Sequence, residues 1–179
     1  PANMMEIMKI AKKHNLKVIE DAAQAPLGKS NNKYLGTIGD VGGFSLNYHK
    51  TIHCGEGGIV VTDNDQIAMR LKLIRNHGES VADSFKISAK GNIFGGNFRM
   101  NEIEAAIAIE QLKKLNFLTK HRQKLAKYLI KKIKKFKFLE ITTVPKNDEH
   151  VYYFFVTIFK KEKINLSRNN FYKLSKLLG

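Results

Sequence analysis

Three short runs restrict this chain more than anything else in it: Leu16-Lys17-Val18-Ile19-Glu20-Asp21, Val41-Gly42-Gly43-Phe44-Ser45-Leu46 and Gly57-Gly58-Ile59-Val60-Val61-Thr62. Each is apolar or β-branched over the length of one strand, and helical periodicity stands on either side of the set. Met4, Met5, Ile7, Met8, Ile10 and Ala11 form an apolar stripe before the first run, with Asn15 as a C-terminal cap. Ile67, Met69, Leu71, Leu73 and Ile74 form another after the third, with Asp63 or Asn64 as its N-cap. A helix leading into such a strand is half of a βαβ unit, so the first part of the chain reads as α/β.

The rest of the pattern is less regular. Residues 26–43 are rich in Gly, Asn and Lys and read as loop, and 79–96 as a second long loop of the kind that is usually functional or mobile. Asn101-Glu102-Ile103-Glu104 has the signature of a capped helix start. Ala-rich residues 105–115 carry that helix into a basic one, Lys113 to Lys137. Val151 to Phe159 alternate as a strand does, and Ser167 to Leu178 read as a final helix.

Composition removes whole classes of protein. The chain has 179 residues, 43% of them hydrophobic, enough to build a core and too many for disorder or a collagen-like repeat. Its single cysteine, Cys54, excludes an internal disulfide framework and makes a reduced, cytoplasmic setting the expectation. No apolar run approaches the ~20 residues of a spanning helix, and the N-terminal residues lack a signal-peptide layout, so no membrane partner is expected. His49, His53 and Cys54 lack a fourth partner at metal spacing, and no metal site is read.

The net charge of +15 is uneven. Residues 1–100 carry 13 basic and 9 acidic side chains, whereas residues 101–179 carry 18 and 7. Between Lys113 and Lys137 stand eleven Lys or Arg and no acid, interleaved with Leu115, Leu118, Leu125, Leu129, Ile130 and Ile133. Such a helix suits nucleic acid or an anionic membrane surface; it equally suits a solvated face in a Lys-rich protein. The second is favoured, because aromatic residues that would stack on bases are not interleaved, and no nucleic-acid partner is expected. A non-catalytic basic binding module remains the alternative from a different class.

Chemistry concentrates in three places. The first is Val18-Ile19-Glu20-Asp21-Ala22-Ala23-Gln24-Ala25, acids at the carboxyl end of a strand followed by small residues, where open α/β sheets bind ligands. The second is Gly43-Phe44-Ser45-Leu46-Asn47-Tyr48-His49-Lys50 with Gly55-Glu56-Gly57-Gly58 behind it. A hydroxyl five residues before a lysine, then a glycine-rich turn, suits holding a phosphate near an amine that can attack a carbonyl to form a Schiff base. The third is Gly95-Gly96-Asn97-Phe98-Arg99-Met100-Asn101-Glu102, a glycine turn at a helix start that can meet an anion. Each pattern alone is also met in ordinary loops and caps.

In order, VIEDAAQA, GGFSLNYHKTIHCGEGGIVVT, RNHGE and GGNFRMNEIEAAIAIEQL resemble the DegT/DnrJ/StrS family of sugar-nucleotide aminotransferases, over most of residues 1–115. The resemblance implies a fold-type I transferase that uses pyridoxal 5'-phosphate (PLP): part of a large α/β domain with a mainly parallel sheet (1–115), a connecting basic helix (116–137) and an incomplete small α+β C-terminal domain (138–179). It implies that Lys50 holds PLP covalently and later moves the proton, that Asp21 pairs with the pyridine nitrogen, that Gln24 lies near the ring hydroxyl, and that Ser45 binds the phosphate. Asn97 matches an asparagine reaching the phosphate from a neighbouring subunit, which implies a homodimer. Arg99 and His49 are weaker candidates for the substrate. The implied reaction moves an amino group, usually from glutamate, to a nucleotide-linked keto-sugar for surface polysaccharide or glycan biosynthesis.

A branch of this family has histidine in place of the lysine and is a sugar dehydratase. His49 is adjacent, yet counting from Ser45 or from Gly55-Glu56-Gly57-Gly58 puts Lys50 in the lysine position, which favours the transaminase. Family members are about twice as long, and Pro1 stands where Met would begin a complete chain. The chain is therefore expected to be a fragment that by itself binds PLP poorly and has little activity.

Overall fold

A computed structural model describes residues 1–79 and 93–177. Helix α1 (Met4–Lys13) begins where the Asn3 side chain accepts the Glu6 N–H, carries Lys12 and Lys13 in its last turn, and buries Met4 and Ala11. It stops because Asn15 turns left-handed (φ 51°), which sends the Leu16 N–H back to the Ala11 carbonyl at 2.8 Å. Strand β1 (Ile19–Asp21) follows. Strands β2 (Lys29–Ser30) and β3 (Lys33–Tyr34) pair antiparallel as a small hairpin. Then come β4 (Val41–Ser45) and β5 (Gly58–Val61). Helix α2 (Asp65–Arg75) is capped by Asn64, whose side chain accepts the Ile67 N–H.

Helix α3 (Glu102–Ile133) runs unbroken for 32 residues from a capping box in which Asn101 and Glu104 satisfy each other's backbone N–H groups. Strands β6 (Leu139–Ile141) and β7 (Thr157–Phe159) pair antiparallel, and Phe171 of α4 (Arg168–Leu177) packs its ring 5.5 Å from that of Phe138 and 5.4 Å from that of Phe159.

The main sheet has the order β1-β4-β5, with β4 parallel to β1 and antiparallel to β5, so its described part is mixed. Its loops are anchored by a core of Leu46, Ile52 and Cys54 against Leu115 of α3. Burial pushes the Cys54 thiol above its ordinary value, so it stays a thiol and packs as an apolar residue.

Two expectations need correction. Residues 26–43 are not all loop: Asn31 and Asn32 both have positive φ (47° and 65°), the geometry that closes a two-residue hairpin, and they join β2 to β3. Val151 to Phe159 are a strand only over Thr157–Phe159. Ahead of that, Glu149 exchanges both backbone hydrogen bonds with Lys29 (3.0 and 2.9 Å), Tyr152 is left-handed (φ 53°), and its N–H is taken by His150 Nδ1 at 2.8 Å. Pairing with the hairpin draws this stretch away from a regular ladder. Of the expected loop at 79–96, residues 80–92 lie outside the described residues, as does Leu178 of the final helix.

Residues 20 and 21 of β1 are opposite in role because successive strand residues face opposite ways. Glu20 pairs in register with Gly42, and Asp21 with Gly43. Glu20 is buried, and its carboxylate accepts three backbone N–H groups, from Gly36 (2.9 Å), Ile38 (2.5 Å) and Gly39 (2.6 Å). The loop it gathers lies directly on β4: a Cβ on Gly42 would fall 1.9 Å from the Gly36 carbonyl oxygen. Beside it, Asp40 accepts from Lys17 Nζ (2.8 Å) and the Val18 N–H (2.9 Å), while Thr62 Oγ1 donates to the Asp40 carbonyl (2.6 Å).

Glu20→Ala strands three inward N–H groups and is expected to lower unfolding free energy by roughly 3 kcal/mol, read from the urea midpoint. The hydrogen bonds from Lys17 and then Val18 hold the Asp40 carboxyl below its ordinary value of 3.8. Its contribution to stability is therefore complete above that value and lost as pH falls towards the lower folded one. Asp40→Asn is expected to flatten the acid limb of a stability-against-pH curve in that window.

Candidate active site

The face of the sheet opposite Glu20 carries Asp21, Gly43 and Ser45, since Asp21 pairs with Gly43, Gly43 with Val60 and Ser45 with Gly58. A Cβ on Gly43 would meet nothing within 4 Å. The acid at the end of β1 and the hydroxyl at the end of β4 thus share one face, with an unfilled position between them. Asp21 Oδ1 accepts the Ala23 N–H at 3.0 Å; Oδ2 has no partner among the described residues.

The turn after β4 is organised by Asn47. Its side-chain oxygen accepts the His49 N–H (3.1 Å), its carbonyl accepts the Lys50 N–H (2.9 Å), and its amide donates to Glu56 Oε1 (2.7 Å). Ser45 Oγ accepts the Asn47 N–H at 3.3 Å. Below, Leu46, Ile52 and Cys54 tie the same turn into the core. Lys50 is half-buried, and its Nζ lies 5.3 Å from the centre of the Tyr153 ring. His49 is exposed and its ring sits against that of Tyr48, centroids 3.8 Å apart.

Asp21 and Gln24, but not Ser45 or Lys50, line a cavity of about 520 Å³ that His150, Tyr153 and Phe154 of the C-terminal part of the chain also line. Burial lowers the His150 imidazole below its ordinary value of 6.5. Since Nδ1 accepts from Tyr152, the neutral ring carries its proton on Nε2.

Asn97 and Arg99 do not line this cavity. They belong to a turn fastened to the end of α2: the Gly96 N–H donates to the Ile74 carbonyl (2.9 Å), the Phe98 N–H to the Arg75 carbonyl (3.0 Å), and the Arg99 guanidinium to Oδ1 of buried Asn76. Asn97 itself is exposed. The structure thus brings Asp21, Gln24, Ser45 and Lys50 to one end of the sheet and holds Asn97 and Arg99 on a separate, outward-facing turn.

The family model for DegT/DnrJ/EryC1/StrS aminotransferases matches residues 1–176. The chain belongs to this family. It is 36% identical over 163 residues to the dTDP-3-amino-3,6-dideoxy-alpha-D-galactopyranose transaminase of Aneurinibacillus thermoaerophilus, covering 90% of this chain and 43% of that protein. It is 37% identical over 120 residues to the UDP-4-amino-4,6-dideoxy-N-acetyl-beta-L-altrosamine transaminase of Helicobacter pylori, covering 67% and 32%. Among solved structures, GDP-4-keto-6-deoxymannose-3-dehydratase (ColD), in a histidine-to-asparagine variant with bound GDP-perosamine, superposes with a TM-score of 0.84 at 32% identity, covering 99% of this chain and 48% of that one. The fold is that of the fold-type I PLP-dependent transferases, with part of the large domain's sheet present. The chain spans under half the length of these relatives.

The site residues fit PLP on a structural test. The open position at Gly43 leaves room on the face shared by Asp21 and Ser45, and the spare Asp21 oxygen is a ready acceptor for a ring N–H. Sequence reasoning did not single out Asn47 as organiser of the lysine turn, although it stands within the quoted motif, nor His150 and Tyr153, which only the tertiary fold carries to the cavity. Gly43→Ala adds a Cβ that meets nothing within 4 Å and is expected to leave the urea midpoint near that of the unsubstituted protein. The same change should weaken PLP binding at least about tenfold, read by absorbance titration.

Proposed function

We propose that the protein is a PLP-dependent aminotransferase that moves an amino group from an amino acid, glutamate being the expected donor, to a keto-sugar carried on a nucleoside diphosphate. The observation that carries this reading is the shared face of Asp21 and Ser45, opened by Gly43, with Lys50 on the turn that leaves it. The sugar transaminases among the relatives support the substrate class; the nucleotides in their names differ, so this chain's nucleotide is left open.

Asp21 would accept the pyridine N–H of a bound cofactor and keep that proton in place, Gln24, on the cavity wall, would lie near the ring hydroxyl, and Ser45 would donate its hydroxyl to the phosphate. Lys50 would hold the cofactor covalently, and its Nζ, once released, would carry the proton off the donor's α-carbon and return one to the sugar carbon. When bound, PLP supplies the electron sink that makes that carbon acidic.

The proposed assembly is a homodimer in which Asn97 of each subunit completes its partner's site and Arg99 borders the substrate's diphosphate. Asn97 is flanked by Phe94 (99% exposed), Phe98 (70%) and Ile103 (75%), an apolar surround that suits burial against another subunit. Residues 1–115 would form part of the large domain, 116–137 the connecting basic helix and 138–179 the start of the small one. The setting is the cytoplasm, where nucleotide sugars for surface polysaccharides are built; among the described residues no helix is long and apolar enough to cross a membrane.

The dehydratase reading needs a histidine at the cofactor-facing position. Lys50 is half-buried with its Nζ 5.3 Å from the centre of the Tyr153 ring, whereas His49 is exposed against Tyr48, and this favours the transaminase. Borohydride reduction in the presence of PLP, followed by peptide mass spectrometry, is expected to mark Lys50. Lys50→Ala should abolish the adduct and His49→Ala retain it; the reverse pattern would overturn the assignment. A panel of nucleotide keto-sugars with glutamate, assayed on the full-length protein, then identifies the acceptor.

A further inference from the structure

Lys50 Nζ makes no ion pair and no hydrogen bond with any described residue. What faces it is the ring of Tyr153, at 5.3 Å from the ring centre, within the range where an aromatic face attracts a cation. Tyr153 is more than a hundred residues away in sequence, and its position is set independently of the lysine. Glu149 is paired to Lys29 through two backbone hydrogen bonds and a 2.8 Å ion pair, and Asp148 Oδ1 accepts the Asn31 N–H at 3.0 Å. Gln123 Nε2 of α3 donates to the His150 carbonyl (3.1 Å), Val151 is buried, and Arg122 Nη1 donates to the Tyr153 carbonyl (3.4 Å). From the other side, Phe154 meets the Tyr153 ring edge-on at 4.5 Å. The ring is thus held between the cavity that Asp21 lines and the turn that carries Lys50.

We propose that Tyr153 is a positioning residue for Lys50: its ring, itself part of the cavity lining, holds the lysine ammonium against its face, and Arg122 and Gln123 of the basic helix hold the segment that carries the ring. This rests on the reading of Lys50 as the cofactor lysine. A four-carbon side chain with no polar partner samples many rotamers, and attraction to a fixed ring narrows them to those that end beside Asp21's cavity. The ring acts through its π face, so the phenolic hydroxyl is dispensable and the aromatic ring is not.

The test compares Tyr153→Leu, Tyr153→Phe and the unsubstituted protein by two measurements. Competitive labelling with an acylating reagent, quantified by mass spectrometry with exposed Lys9 as internal reference, is expected to modify Lys50 about 3- to 10-fold faster in Tyr153→Leu, from which the ring has gone, and at the original rate in Tyr153→Phe. The rate of borohydride-trapped PLP adduct at Lys50 should move the opposite way, falling in Tyr153→Leu and restored in Tyr153→Phe, a divergence that general loosening of the structure would not produce. Unchanged Lys50 labelling in a folded Tyr153→Leu, or a Phe variant that behaves like Leu, would overturn the proposal. If Tyr153→Leu loses its helical circular dichroism, Arg122→Ala, which frees the segment from outside the cavity, replaces it with the same expectation for labelling. No trapped adduct at Lys50 in the unsubstituted full-length protein, on which the adduct arm is run, would count against the cofactor reading alone, because the labelling arm uses no cofactor.

Discussion

The site depends on one constraint of strand geometry, that neighbouring residues face opposite sides of a sheet. At the end of β1 this separates two carboxylates that are adjacent in sequence. Glu20 turns inward and collects three N–H groups of the loop at residues 36–39; Asp21 turns to the open face with one oxygen unengaged. The paired glycines of β4 repeat the division. Gly42 lets the Gly36 carbonyl come into contact, and Gly43 leaves a position empty beside Asp21. A one-residue slip of β1 against β4 would exchange these roles and remove both the anchor and the site.

The second requirement is a lysine held firmly at the rim of that face. Asn47 and Glu56 shape its turn, and Leu46, Ile52 and Cys54 fasten the turn to α3. The same helix reaches forward through Arg122 and Gln123 to the segment that ends in Tyr153. Two residues from the most basic stretch of the chain therefore have a structural task close to the site, and the helix is more than a solvated surface.

Much of this was legible in the residues. The three short runs became β1, β4 and β5, and the caps at Asn15, Asn64 and Asn101 sit at helix ends, because strand runs and caps are local signals. The motif order identified the family, since the ligand-facing ends of β1 and β4 and the turns after them carry side-chain types that few other arrangements need. The hairpin at Asn31 and Asn32 was missed, because its pair of residues that tolerate positive φ is concealed within a Lys- and Gly-rich stretch. Val151 to Val156 misled for a different reason. Alternation reports which side chains are buried, and packing against the hairpin and α3 yields the same pattern as a ladder.

What the sequence determined alone is the local chemistry: which segments are strands, where helices begin and end, and that Asp21, Ser45 and Lys50 stand at strand ends and the turn beyond them. What only the tertiary structure decided is which distant groups meet them. Tyr153 over Lys50 and the Arg99 guanidinium on Asn76 are contacts across 103 and 23 positions of chain, and His150 lines the same cavity as Asp21 from 129 positions away. No local preference encodes such distances, because they follow from how the hairpin, the sheet and one long helix pack together, and that packing is a property of the whole chain.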